Sequence, residues 1–407
     1  MTRTRGGLPL LVGGFGLSAL GDYLALTALI VWAHDHIGSA WSVTGLVLAG
    51  LAPLVLLAPV AGTLVDRFPP ARLLPPVLLV QAAATATAAT VTRYPVMLLL
   101  VFVLGAGTAV TQAGLLTLAP ALARRSGTGR VTGWLEAARS AGTTLGPPLG
   151  GVISAVWGVR QALLVDAVSF ALLGVALLSI RSVRVPRPAG SGVRQRAGMV
   201  AGVRILGREP YLRLAVATLC GATVFVASIN VAEVYFAKDV LRAGDIGYGV
   251  LIGCWGGGMV LGALAAARWH SSASLLRAVA ASAVLMGLAL VVPAALPWLP
   301  LALVCWAFGG VANGAFHVAV RGLVHRRAPA DLHGRVFAAQ HGAYTAAKIV
   351  SILLGGALLG LLPARGVIAL AGAGALLVGA AGLALRGRVP PESATDAGPQ
   401  RLAGAAR

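Results

Sequence analysis

Long hydrophobic segments separated by short polar connectors make up most of the chain between residues 9 and 386. A helix of roughly 20 residues crosses a hydrocarbon layer of about 30 Å, so each segment is long enough to span a membrane. The pattern predicts an all-α integral membrane protein with twelve transmembrane helices. We place them at 9–33, 42–64, 73–92, 95–118, 134–156, 161–180, 212–237, 246–267, 275–292, 298–320, 336–358 and 366–386.

The longest polar stretch, 181–211, divides these segments into six and six. Its second part, from Gln195 to Arg208, has helical periodicity and a basic face, which is typical of a helix lying along a membrane surface. Four parts are therefore predicted. They are an N-terminal six-helix bundle at 1–180, a cytoplasmic linker loop with an amphipathic helix at 181–211, a C-terminal six-helix bundle at 212–386 and a disordered cytoplasmic tail at 387–407.

The two halves also repeat each other in sequence. Gly129-Arg130-Val131 returns as Gly334-Arg335-Val336, and the same offset carries Gly150-Gly151 onto Gly355-Gly356 without a gap. Equal register over this distance favours duplication, so the two six-helix bundles are expected to be pseudo-symmetric. Repeats of this kind are typical of transporters that bind their substrate between the repeats.

Composition excludes a soluble multidomain enzyme. Hydrophobic residues make up 58% of the chain and charged residues 11%, and the mean hydropathy is +0.87, whereas soluble domains are about 25% charged. The formal charge of +20 raises the question of a nucleic-acid partner, but no basic-aromatic platform accompanies it, so we expect none.

The basic residues instead orient the chain in the membrane. Of the 32 Lys and Arg residues, 25 lie in the termini and in every second connector, and the opposite connectors carry five. This is the pattern of the positive-inside rule. Both termini are therefore predicted to face the cytoplasm, which requires an even number of spans.

A charged cluster occupies the short turn after the second predicted span. Gly62, Asp66, Arg67 and Arg72 are expected to form a cytoplasmic gate. Gly62 would let a neighbouring helix approach closely, Asp66 would face the N-terminus of another helix, and the two arginines would pair with carboxylates or lipid. The alternative is an ordinary basic turn.

The fifth predicted span carries glycines around a proline. They are Gly142, Gly146, Gly150 and Gly151, with Pro147 between them. Glycines four residues apart allow the backbones of two helices to approach closely, and proline bends a helix. We predict a kinked and tightly packed helix that seals one side of a cavity.

These two segments resemble signatures of the major facilitator superfamily, namely its loop signature and its antiporter signature. More narrowly, the chain is similar to the bacterial branch that holds macrolide-efflux and enterobactin-exporter-like proteins. That similarity rests on Gly21-Asp22, Gly38-Ser39, Asp166-Ala167-Val168-Ser169-Phe170, the AGVRILGREPYLR segment at 201–213 and Gly334-Arg335-Val336. The resemblance implies two six-helix bundles and the export of drugs or natural products, usually driven by protons.

The chain departs from the superfamily pattern at two positions. Val101 stands where the fourth span would carry an arginine that takes part in proton relay, and Ala266 replaces the equivalent of Asp66 in the second half. Because of the first departure, an arginine that partners a proton-carrying carboxylate has to lie elsewhere in the chain.

Charges inside the predicted spans need a reason, because a carboxylate at the bilayer centre costs about 2.5–3.5 kcal/mol on insertion scales. Asp22, in the first span, is the candidate proton carrier; the alternative is a polar packing residue. Glu136 and Arg139 lie one turn apart in the fifth span. They form either a local ion pair, or Arg139 reaches Asp22 in place of the missing arginine. For Asp166 we expect a structural role.

Further polar residues are candidates for lining a substrate cavity. Lys348 is either a second cavity charge or a group that attracts anionic substrates. In comparable folds, spans one, four, seven and ten line the path. The candidates on them are Gln112, Asn230, Asn313 and His317.

Several kinds of site are not expected. The sequence has no GxxxxGK[ST] loop for ATP, and no HExxH motif or Cys-His cluster, so we predict neither a metal nor a cofactor. A membrane-embedded enzyme or a non-transporting partner protein would need convergent catalytic residues, which the sequence does not offer.

The resulting hypothesis is a proton-coupled antiporter that exports a lipophilic drug, antibiotic or siderophore-like molecule by alternating access. It is expected to be a monomer in the bacterial inner (plasma) membrane, with the small-molecule substrate, protons and the lipid bilayer as its partners. A proton-independent importer or uniporter of a small metabolite stays open as the alternative.

Overall fold

The computed structural model describes residues 7–122, 128–178, 202–266, 268–269, 271–329 and 332–389. In these ranges the chain is helical, with short connectors and no strand. The helices are α1 (Gly7–Ile37), α2 (Ala40–Leu56), α3 (Ala58–Arg67), α4 (Pro70–Ala88), α5 (Tyr94–Leu122), α6 (Thr128–Trp157), α7 (Val159–Leu178), α8 (Pro210–Val226), α9 (Ile229–Tyr235), α10 (Gly244–Ala266), α11 (Ser272–Ala295), α12 (Leu299–Arg327), α13 (His333–Leu359) and α14 (Ala364–Leu385).

Shorter helical pieces complete the described chain. A π-helical turn, Phe236–Val240, continues α9, and a 3-10 turn, Arg386–Arg388, follows α14. Residues 202–208 are helical, which covers the end of the predicted surface helix. The rest of that helix, most of the predicted linker, and residues 390–407 of the predicted tail lie outside the described residues.

Among the described residues, ten helical segments are long and apolar enough to cross a membrane. The pair α2 and α3, bent by 51°, gives an eleventh if it is counted as one span. The prediction of twelve also counts α6, which is rich in Gly, Pro, Thr and Ser. The all-α membrane fold is confirmed, and the count of twelve stays a prediction.

Local sequence explains where many helices begin and end. Ser271 caps α11, where its side chain and that of Ser274 each accept a hydrogen bond from the other residue's backbone N–H. Glu209 caps α8 by accepting from Leu212 N at 2.6 Å. A glycine with positive φ, Gly158 at +91°, separates α6 from α7.

The chain divides into two compact units. One holds Met1–Gly192, Asn230–Gly256 and Gly356–Ala364. In it, α1 packs against α6 and α7, and α4 packs against α5 and α7. Its main apolar core joins α1, α4, α5 and α7 through buried leucines and one phenylalanine, which are Leu11, Leu74, Leu78, Leu115, Leu118, Leu173, Leu177 and Phe170.

The other unit holds Val193–Ile229, Gly257–Gly355 and Arg365–Arg407. In it, α11 packs against α12, and both contact α8. Large hydrophobic side chains remain exposed in this unit, such as Phe308 on α12 at 67% and Leu377 on α14 at 72%, as a lipid-facing surface requires. The predicted boundaries at 180, 211 and 386 stay predictions.

The repeated glycine pairs pack in corresponding ways. A Cβ on Gly150 would touch α1, and a Cβ on Gly355 would touch the junction of α8 and α9. A Cβ on Gly151 would touch α10, and a Cβ on Gly356 would touch α2. In the predicted duplication, α1 corresponds to α8–α9 and α2 to α10, so the contacts follow the repeat that the sequence indicates.

Candidate functional site

Two carboxylates lie at one contact between α1 and α7. Asp22 is half-buried on α1 and Asp166 is buried on α7, and their charges act on each other. Gly21 makes this contact close, because a Cβ there would collide with Asp166 Oδ1 and Ser169 Oγ. The Ser169 hydroxyl lies 2.8 Å from the Asp166 carbonyl oxygen and 3.2 Å from its Oδ1. The partner of Asp22 in this acidic pair was not foreseen from the sequence.

The glycines of α6 meet the same stretch of α1. A Cβ on Gly142 would lie 2.7 Å from Leu20 N, and a Cβ on Gly146 would lie 2.8 Å from Leu20 O and 2.7 Å from the Tyr23 Cβ. Gly150 continues the contact at Leu24 O. The tight packing predicted for this helix is therefore present, and α6 is continuous through Pro147.

A second face of α6 packs against α10. A Cβ on Gly249 would collide with the Pro147 carbonyl oxygen, and Gly253 and Gly256 lie against Pro148 and Thr144. Both helices therefore meet through backbone and small groups instead of interlocking side chains. This seam of α6 and α10 lies within the first unit.

Glu136 and Arg139 form the local ion pair on α6. Arg139 Nε donates to Glu136 Oε2 at 3.0 Å, and its Nη2 donates to Oε1 at 2.5 Å. The charges of Arg139 and Asp22 both act on Tyr23, which follows Asp22 in α1. The structure thus has the first of the two arrangements considered from the sequence.

The charged turn at the end of α3 is exposed. The side chains of Asp66, Arg67 and Arg72 reach the surface, and the Arg67 guanidinium lies 5.9 Å from the centre of the Phe68 ring. Among the described residues, no atom lies within 4 Å of a Cβ placed on Gly62, so none of them makes the close helix approach expected there. A gating role for these four residues stays a prediction.

The predicted cavity residues fall in different places. Gln112 is exposed on α5, and Asn230 is half-buried in α9. Asn313 and His317 on α12 and Lys348 on α13 are half-buried, and the positive charge of Lys348 acts on His317. The structure brings these last residues together within the second unit.

An ionic network at the opposite end of the first unit was missed from the sequence. Lys238 Nζ donates to Asp35 Oδ1 at 2.5 Å and to Asp245 Oδ1 at 2.6 Å. His34 Nδ1 lies 2.7 Å from Asp35 Oδ1, and His34 Nε2 lies 3.1 Å from Asp239 Oδ1. Each residue lies near a helix end on the predicted outer side. The chain has few acidic residues and only two lysines, so their occurrence on this side was the signal that could have indicated the network.

An apolar cavity of about 670 Å³ lies in the second unit beside α10, α11 and α12. Trp269 and Arg277 line it, together with Leu285, Cys305 and Phe308. None of the polar residues predicted to line a substrate path borders it.

The family model described as Major Facilitator Superfamily matches residues 11–276, more than half of the chain. The chain belongs to the major facilitator superfamily. It is therefore a multi-pass membrane transporter and not an enzyme, as the sequence predicted.

Relatives within the superfamily match nearly the whole chain. The chain is 27% identical over 378 residues to the multidrug efflux pump Tap of Mycolicibacterium fortuitum, covering 88% of this chain and 90% of Tap. It is 25% identical over 369 residues to the uncharacterized MFS-type transporter YfiS of Bacillus subtilis, covering 88% and 87%.

Solved structures share the superfamily fold at lower identity. A bacterial homologue of the iron transporter ferroportin, in an inward-facing state, superposes with a TM-score of 0.75 at 16% identity, over 93% of this chain and 98% of that one. A bacterial homologue of the lysosomal transporter Spinster gives 0.67 at 14% identity, over 96% and 98%. At these identities the likeness concerns the fold alone.

Proposed function

We propose that this transporter exports lipophilic or amphipathic small molecules, such as drugs, antibiotics or siderophore-like compounds, in exchange for protons. It would work as a monomer with twelve spans in the bacterial inner membrane, with both termini in the cytoplasm. The similarity to Tap over 88% of the chain supports export of drug-like compounds. The half-buried Asp22 beside the buried Asp166 is the observation that carries proton coupling.

The argument for Asp22 begins with the cost of its charge. A carboxylate in a membrane helix costs about 2.5–3.5 kcal/mol on insertion scales, and a second carboxylate at the same contact adds repulsion. Two ionised carboxylates at one site repel each other, so one proton held by the pair would relieve both costs. Asp22 is the less buried member of the pair, so it would exchange that proton with water.

Residues near Asp22 can respond to its change of charge. Tyr23 interacts with Asp22 and with Arg139, and Arg139 is held by Glu136. A change of charge at Asp22 would therefore reach α6, whose glycines pack on α1 at Gly142 and Gly146. Through this contact, protonation would alter the position of the helix that seals the cavity.

Two charged regions would act as the gates. Gly62, Asp66, Arg67 and Arg72 would form the cytoplasmic one, as the sequence predicts. The network around Lys238 would hold the outer side closed, because it joins the end of α1 to the segments around α10. The driving force would be the membrane potential, about 2.3 kcal/mol per charge per 100 mV, together with the pH gradient.

The test is substrate-dependent proton flux in vesicles reconstituted with the purified protein, across a panel that includes antibiotics and siderophores. Asp22→Asn should abolish transport driven by a pH gradient while substrate counterflow continues. The control, Glu392→Gln in the predicted tail, should behave like the wild type. Unchanged pH-driven transport by Asp22→Asn would contradict the proton role, and wild-type counterflow without proton movement would indicate the importer or uniporter.

A further inference from the structure

Two polar stripes face each other in the second unit. On α12, Asn313, His317 and Arg321 follow one another at intervals of four residues, and on α13 Tyr344 and Lys348 have the same spacing. Residues four apart lie on one face of a helix. The rings of His317 and Tyr344 join the stripes edge to face, with centroids 5.3 Å apart and planes at 87°.

The charges on these stripes have one sign. Arg321 and Lys348 both act electrostatically on His317. The sequences of α11, α12, α13 and α14 contain no Asp or Glu, so these four helices supply no carboxylate. Within the described part of the chain, no hydrogen bond or ion pair involves the Lys348 ammonium.

Lys348 lies too deep in its helix for its ammonium to reach the aqueous interface. It lies in the middle third of α13, and at 1.5 Å per residue about 16 Å separates it from the end of the helix at Leu359. A lysine stem is too short to carry the ammonium to the interface from there. A membrane-embedded cation costs about 2.5–3.5 kcal/mol on insertion scales, and a bound anion would offset that cost.

We propose that this face of α12 and α13 binds the anionic head of an otherwise lipophilic molecule, such as a carboxylate or sulfonate. Lys348 would supply the nearest charge, Arg321 a second one, and His317 and Asn313 hydrogen bonds, while the Tyr344 ring would border the apolar part. The assignment of this ligand as the transported substrate rests on the proposed function. Binding itself does not.

The experiment measures binding without any proton gradient, in nanodiscs of neutral phosphatidylcholine. The probe is 11-(dansylamino)undecanoic acid, compared with its primary amide and with a quaternary ammonium analogue of equal length. The wild type should bind the carboxylate about tenfold more tightly than the amide. Lys348→Met should reduce this ratio to about one, Lys348→Arg should preserve it, and the control Arg388→Met should leave it unchanged.

Several results would overturn the proposal. They are equal binding of the three probes by the wild type, no binding of any probe, or a tenfold preference that survives Lys348→Met. A lipid headgroup is the other source of the same chemistry. If phosphatidylglycerol in the nanodisc displaced the carboxylate from the wild type, the site would belong to lipid and not to substrate. Retained binding in its presence supports the proposal.

Discussion

At the scale of single residues, the sequence identified charges that lacked an obvious reason but did not identify their partners. Asp22 and Lys348 were found because a charge in a long apolar segment is costly. The electrostatic interaction of Asp22 with Asp166 joins α1 to α7, which are far apart in the sequence, and the ring contact of His317 with Tyr344 joins the neighbouring helices α12 and α13. No periodicity within one helix predicts such pairs.

The outer network gives a prediction at this scale. Lys238 contacts two carboxylates and is 13% exposed, so Lys238→Met would remove the ammonium that Asp35 and Asp245 share. We expect a loss of about 1–3 kcal/mol of stability, below the 3–5 kcal/mol of a fully buried pair, because Asp35 is 40% exposed. The measurement is Tm in detergent.

Arg160→Met is the matched control for this variant. Arg160 is an exposed basic residue on the same predicted side, and its replacement should leave Tm unchanged. Equal Tm values for Lys238→Met and the wild type would show that the network does not stabilise this conformation.

At the scale of helices, glycine spacing was the most informative pattern in the sequence. It predicted that α6 would pack closely, because glycines four residues apart remove the side chains from one face. It could not predict that a second face of α6 would meet α10, since the matching glycines on α10 look unremarkable in a chain with 54 of them. A close helix approach at Gly62 stays a prediction, since no described residue lies within 4 Å of a Cβ placed there.

Two alanine substitutions on α6 separate packing from helix propensity. Gly146→Ala should destabilise the protein by about 1–3 kcal/mol, because the new Cβ would lie 2.7 Å from the Tyr23 Cβ and 2.8 Å from a backbone oxygen. Gly133→Ala should be neutral or stabilising by about 0.5–1 kcal/mol, since no described residue lies within 4 Å of a Cβ placed there. Thermal unfolding of both variants checks the difference, and identical shifts would contradict the close contact.

At the scale of the whole molecule, hydropathy was sufficient for the fold class, whereas the superfamily was indicated by the resemblance of the 62–72 and 142–151 segments to its signatures. Ten or eleven spans follow directly from apolar length, whereas α6 is less apolar and its assignment as a further span stays a prediction. The bend of 51° between α2 and α3 was not predicted, because the apolar pattern runs through it without interruption.

Orientation gives a prediction for the whole chain. In a background in which Cys220, Cys254 and Cys305 are replaced by alanine, Arg388→Cys should react with a membrane-impermeant maleimide only after cells are permeabilised. Arg160→Cys should react in intact cells, because positive-inside asymmetry places the two positions on opposite sides. Reaction of both cysteines in intact cells would contradict the predicted orientation.

The seam of α6 and α10 has a consequence for motion. Interlocked side chains resist translation, because each step requires a change of rotamer, and packed helices usually slide by small shear steps. Where backbone meets backbone, as at Gly249 and Pro147, a shift by part of a turn disturbs no rotamer. At this contact the two helices can therefore slide past each other with little resistance. Larger side chains introduced there would slow the transport cycle even where the resting fold survives.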